Sequence, residues 1–170
     1  MNSLDIFTIT NPALGSFILW SFLQGYESNK QGCPYHLLYL PLPLILSENI
    51  RNEFKGTNAA TGLQTWILRN QKSLLQFSER IEKTQNLTKE AIVFGCSNKI
   101  FQIQDDGSMI SLGKEINKKN LNKLSDELKE MASAAKKLGK WLSQSNSVSN
   151  ILISLGLVYE TMEYLENNSL

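Results

Sequence analysis

Apolar positions crowd the first quarter of the chain. Leu14, Phe17, Ile18, Leu19, Trp20, Phe22 and Leu23 fall on every side of a 3.6-residue period, so the helix they predict is apolar nearly all round. A helix of that kind is central to its fold or covered by a partner. Asn11-Pro12-Ala13 marks its start. Asn at the N-cap accepts from a first-turn N–H, and Pro at the first helical position has no N–H to leave unmade. The helix is expected to stop near Gln24, with Gly25 as the left-handed residue beyond its end.

The pattern then changes several times. Gly32-Cys33-Pro34 predicts a turn, and the segment after it predicts a short helical piece, a proline break and a helix over about 41–54. Residues 55–62, KGTNAATG, form the clearest loop. Apolar residues at 63, 67, 74, 77 and 81 suit one face of a helix interrupted at Asn70. Thr88 is expected to cap a further short helix, KEAIVFGCS. Two β-like runs flank Asp106-Gly107, the strongest hairpin signal in the chain. From about Asn117, Leu121, Leu124, Leu128, Met131, Ala135, Leu138 and Leu142 alternate spacings of three and four. The flanking positions are mostly uncharged, which suits a helix packed inside a domain. A last helix or strand is expected over ILISLGLVYETMEYL.

These elements describe a mainly α fold with one β-hairpin, a single compact domain over 1–170. Its parts are an apolar helical segment (1–54), helices plus hairpin (63–112) and a long amphipathic helix (117–142). Helices followed by a two-stranded wing outline a winged helix, so residues 63–112 are a candidate for that element.

Length and charge narrow the classes. A chain of 170 residues is long enough to bury one sizeable core. The first apolar run covers about 12 residues, short of the ~20 a spanning helix needs. The second is interrupted by prolines, and no basic segment precedes the first as in a signal peptide. A membrane role is therefore not expected, and two cysteines suit a reduced, cytoplasmic setting. Net charge is only +1, which argues against gross electrostatic capture of nucleic acid. Its distribution is uneven: residues 118–140 carry seven Lys against three acids, and residues 141–170 carry three Glu and no base.

Candidate chemistry is sparse. Phosphate-loop, dinucleotide, nucleophile-elbow and zinc-protease motifs do not occur. Cys33-x-x-His36 resembles half of a zinc site, yet His36 is the sole histidine and Cys96 the only other thiol. Asp105 and Asp106 precede Gly107 and read as turn formers. No enzyme, metal or cofactor is therefore expected. Lys114, Lys118, Lys119 and Lys123 follow the expected wing and are candidate DNA contacts. Against this, no arginine occurs in residues 81–170, and Arg is the better bidentate reader of base and phosphate. Phe17, Trp20, Phe22 and Tyr26 form the densest aromatic set and are candidate anchors for a partner.

The order of the motifs carries a resemblance. NPALGSFILWSFLQGY followed by GCPYHLLYLPLPLILSENIR is similar to the Asn-Pro-Ala, apolar helix, Gly-Tyr and Leu-Pro-Leu pattern of the middle component of three-component ABC-ATPase systems. That group includes the small third subunit of Lamassu-type anti-phage defence. EAIVFGCSNKIFQIQDDGSM and KKLGKWLSQSNSVSNILISLGL resemble its later segments, so the similarity runs over residues 8–157. VYETMEYLENNSL, after Leu157, departs from it. The resemblance implies a non-enzymatic adaptor joining a structural-maintenance-of-chromosomes or Rad50-like ATPase to an effector, often a nuclease. It would meet DNA through the assembled complex. The alternative from another class is a free-standing winged-helix DNA-binding regulator.

Overall fold

The fold is organised around its first helix. The structure, a computed structural model, describes residues 11–27, 32–112, 123–145 and 147–157. Helix α1 (Pro12–Tyr26) begins where Asn11 Oδ1 accepts from the N–H groups of Ala13 and Leu14, at 3.0 and 3.2 Å. Ile18, Leu19, Phe22 and Leu23 have no solvent exposure. The chain itself provides the cover: α5 (Phe77–Ser97) and α6 (Asp126–Ser143) flank α1, and α2 (Pro41–Ile45) and strand β3 (Ser108–Ser111) complete it. No partner is needed to explain the apolar character of α1.

Gly25 has a different role from the one expected. Helix α1 runs on through it to Tyr26, and Gly25 is not among the glycines with positive φ. A Cβ at Gly25 would overlap the Lys136 carbonyl oxygen on α6, and one at Gly139 would overlap the Phe22 carbonyl oxygen on α1. Two glycines thus let the backbones of α1 and α6 touch. The heptad-like positions Met131, Ala135, Leu138 and Leu142 are buried at this crossing, with Leu128 half-buried at its edge. The spacing of α6 is that of a core helix.

Between these two helices, the chain makes several short elements. Strand β1 (Cys33–Pro34) leads into a 3₁₀ turn (Tyr35–Tyr39), then α2, α3 (Glu48–Asn52) and α4 (Gly62–Arg69). The helix expected over 41–54 is two helices because Ser47 is extended. Arg51 Nη1 donates to the Ile45 carbonyl at the end of α2, at 3.0 Å, which satisfies an acceptor the break exposes. A second 3₁₀ turn (Gln71–Leu74) follows Asn70.

Helix α5 then runs unbroken through Thr88. That residue does not cap a new helix: its hydroxyl donates to Thr84 O within the same helix, at 3.0 Å. Likewise, α6 starts at Asp126 and not near Asn117, because Ser125 Oγ accepts from Leu128 N. Residues 117–122 lie outside the described residues. Helix α7 (Val148–Ser154) closes the described chain, and Gly156 turns at φ +74°.

The hairpin forms as expected, β2 (Phe101–Ile103) against β3, with Gly107 at φ +78° in the turn. The Ser108 hydroxyl, and secondarily the Ser108 N–H that donates to Asp106 Oδ1, hold the Asp106 carboxyl below the ordinary range. The expected turn at Cys33–Pro34 is instead a third strand, giving an antiparallel sheet in the order β1-β3-β2 with Cys33 opposite Met109. The hairpin is therefore not a unit of residues 63–112. Its sheet begins at β1, and β3 packs against α1. One contiguous core joins all these elements.

Candidate interaction surfaces

The aromatic anchors proposed from sequence lie inside the fold. Phe22 is fully buried, Trp20 and Tyr26 are buried, and Phe17 is half-buried, with its ring stacked 6.4 Å from that of Trp20. Phe22 and Tyr26 belong to the stretch of α1 that crosses Gly139. Their burial makes them core residues of this chain. Of the candidate DNA contacts, Lys123 is exposed ahead of α6, whereas Lys114, Lys118 and Lys119 lie outside the described residues.

A winged helix reads DNA with the helix before its hairpin and with the hairpin itself. Here α5 carries Arg80, Lys83 and Lys89 against Glu79, Glu82 and Glu90. The hairpin turn exposes Asp105 and Asp106 and no base. Neither surface concentrates the positive charge that a phosphate backbone requires.

What α5 does expose is apolar. Its buried stripe is Phe77, Leu87, Thr88, Ala91, Ile92 and Gly95. Val93 and Phe94 fall off that stripe and are 65% and 37% exposed. With Pro12 and the polar rim of Lys89, Glu90, Ser97 and Asn98 they line a groove of about 490 Å³. Sequence reasoning placed KEAIVFGCS in a short helix and missed this face. The i, i+4 spacing of Leu87, Ala91 and Gly95 was the signal that Val93 and Phe94 point elsewhere.

A second surface is polar. Lys137 on α6 donates to Phe54 O and Thr57 O, both at 2.8 Å, and to Thr57 Oγ1 at 3.0 Å. Burial pulls its pKa below the ordinary lysine value. Arg51, 4% exposed, reaches Glu127 Oε1 at 3.0 Å as well as Ile45 O. These two cations tie the turn after α3 to α6. Beneath the turn, Phe54, Trp66 and Trp141 cluster with ring centroids 4.7–6.2 Å apart, Phe54 stacked on Trp141, and Trp141 Nε1 donates to Asn58 O.

Cys33 is fully buried opposite Met109 of β3, and His36 is exposed. Burial, and secondarily the Glu27 carboxylate, pushes the Cys33 thiol far above the ordinary range, so it stays protonated. Among the described residues no group of His, Cys, Asp and Glu is arranged to hold a metal ion, and no helix is long and apolar enough to cross a membrane.

No curated protein and no solved structure matches the chain. The sequence model of one family does, that of the ABC-three component (ABC-3C) system Middle Component 3, over residues 5–158. The match takes in every element from α1 to α7, including the buried α1–α6 crossing and the three-stranded sheet. The chain belongs to the Middle Component 3 family of ABC-three component systems.

Proposed function

We propose that this protein is a non-catalytic adaptor of its ABC-three component system. It holds a Rad50-like or structural-maintenance-of-chromosomes-like ATPase to an effector subunit, a nuclease in the form the sequence resemblance favours. The assembly acts in the cytoplasm in Lamassu-type defence against phage, and the adaptor meets DNA only as part of it. The observation that carries this reading is the match to a middle component over nearly the whole chain.

The chemistry of the described residues agrees with a binding role. The more buried thiol, Cys33, is kept protonated, and the sole histidine is exposed. The balanced charge of α5 and the acidic hairpin turn favour a protein partner over duplex DNA. The regulator alternative has the winged-helix order of elements in its favour and these charges against it.

Two assays test the reading. Deleting the gene should abolish phage protection while the other subunits remain folded and present at unchanged levels. The purified chain should hydrolyse neither ATP nor DNA, and should not shift duplex DNA at physiological salt. Turnover by the isolated chain would contradict the non-catalytic role. Submicromolar, steeply salt-dependent DNA binding would favour the regulator instead.

A further inference from the structure

A cleft of about 270 Å³ separates the turn at Phe54–Gly56 from α6. Arg51, Lys55, Lys129 and Lys137 line it, with Glu130 as the one carboxylate in its wall among the described residues. Three of the cations have acidic partners: Glu127 on Arg51, Asp126 on Lys129, and Glu130 on Lys55 at 3.2 Å. Those carboxylates are 65%, 97% and 44% exposed, so water screens each pair. Among the described residues Lys137 donates only to neutral oxygens. The Arg51 Nε–H is buried and has no acceptor among the described residues. Buried and part-buried cations in folded proteins are ordinarily paired with an anion. In this cleft part of that pairing is unmade among the described residues.

We propose that the cleft receives an Asp or Glu side chain of a partner subunit. The proposal rests on the adaptor reading and gives one of its contacts a chemistry. A carboxylate suits the site better than a phosphate chain does. The space is small, and Phe54 and Ala134 form apolar walls. Lys137, part-buried and without an acidic partner among the described residues, is the cation with which such a carboxylate would pair.

The test titrates the full chain with an N-acetylated tetraglutamate amide at physiological salt, following lysine and arginine side chains by NMR. Orthophosphate and a short DNA duplex serve as parallel titrants. The tetraglutamate should produce saturable shifts at Lys55, Lys129 and Lys137. Glu130→Gln, which removes the competing carboxylate, should tighten it about threefold. Lys55→Ala combined with Lys129→Ala, both at exposed positions, should weaken it about tenfold. Absence of saturation, identical affinity in all variants, or tighter occupancy of the same lysines by orthophosphate or duplex would overturn the assignment. Co-purification with other subunits is a separate readout. A chain that co-purifies but ignores tetraglutamate refutes the cleft and leaves the adaptor standing.

Discussion

Helix α1 and the C-terminal end of α5 invert what their sequences suggest. By composition α1 is the stickiest segment of the chain, yet α5, α6, α2 and β3 enclose it. Helix α5 is on average polar, yet it presents Val93 and Phe94 to solvent above an apolar groove. Hydropathy therefore ranks segments by how much they have to bury and not by what remains uncovered. An interface searched for by aromatic density falls on Phe17, Trp20, Phe22 and Tyr26, which the fold has already used for its own core. The apolar surface left over is set by phase: which residues fall outside the stripe that faces the neighbouring helix.

Substitutions sharpen this contrast, beginning with the largest effect. Leu138→Ala removes a fully buried side chain at the α1–α6 crossing and should lower stability by ~2–5 kcal/mol in a urea titration. A loss under ~1 kcal/mol would mean that the seam is not core. Gly139→Ala comes next. Its Cβ would overlap Phe22 O and lie 2.8 Å from Tyr26 N, and backbone cannot yield as a side-chain tip can. Overpacking of this kind costs ~1–3 kcal/mol, although Ala is the better helix former. A stabilised Gly139→Ala variant would contradict the close approach of the two helices.

Asn11→Ala removes the acceptor for two first-turn N–H groups and should cost ~1 kcal/mol, with Asn11→Asp and Asn11→Ser close to neutral. Equal stability of all three would move Asn11 out of the cap and toward a partner. The smallest effect belongs to the other region. Val93→Ser on the exposed face of α5 should change stability by no more than ~0.5 kcal/mol. A loss comparable to that of Leu138→Ala would show that Val93 is covered in the free chain and would erase the contrast.

Several of these features were legible beforehand. The Asn11-Pro12 start, the Asp106-Gly107 turn and the periodicity of α6 each rest on local chemistry that leaves a sequence mark. The features that were not legible share one cause: a residue type with two uses. Glycine ends helices and also admits a crossing backbone, and only the tertiary contact at Lys136 selects the second use for Gly25. Thr88 and Ser125 both have cap chemistry, but the Thr88 hydroxyl finds an acceptor in the preceding turn while Ser125 accepts from Leu128 N. Strand β1 is two residues long and contains Pro34, so it has no alternation to detect until β3 lies beside it. The cations at Arg51 and Lys137 are far apart in sequence and meet only once α6 packs on the turn after α3.

The central claim, that this Middle Component 3 protein works by holding other subunits together, has a direct measurement. The chain is co-expressed with the neighbouring gene products, and the purified material is analysed by size-exclusion chromatography with multi-angle light scattering. The account predicts one species whose mass includes this chain, a coiled-coil ABC ATPase and an effector, with no hydrolytic activity assignable to this chain. Elution of the chain alone, as monomer or homodimer, in the presence of every neighbouring product would contradict it.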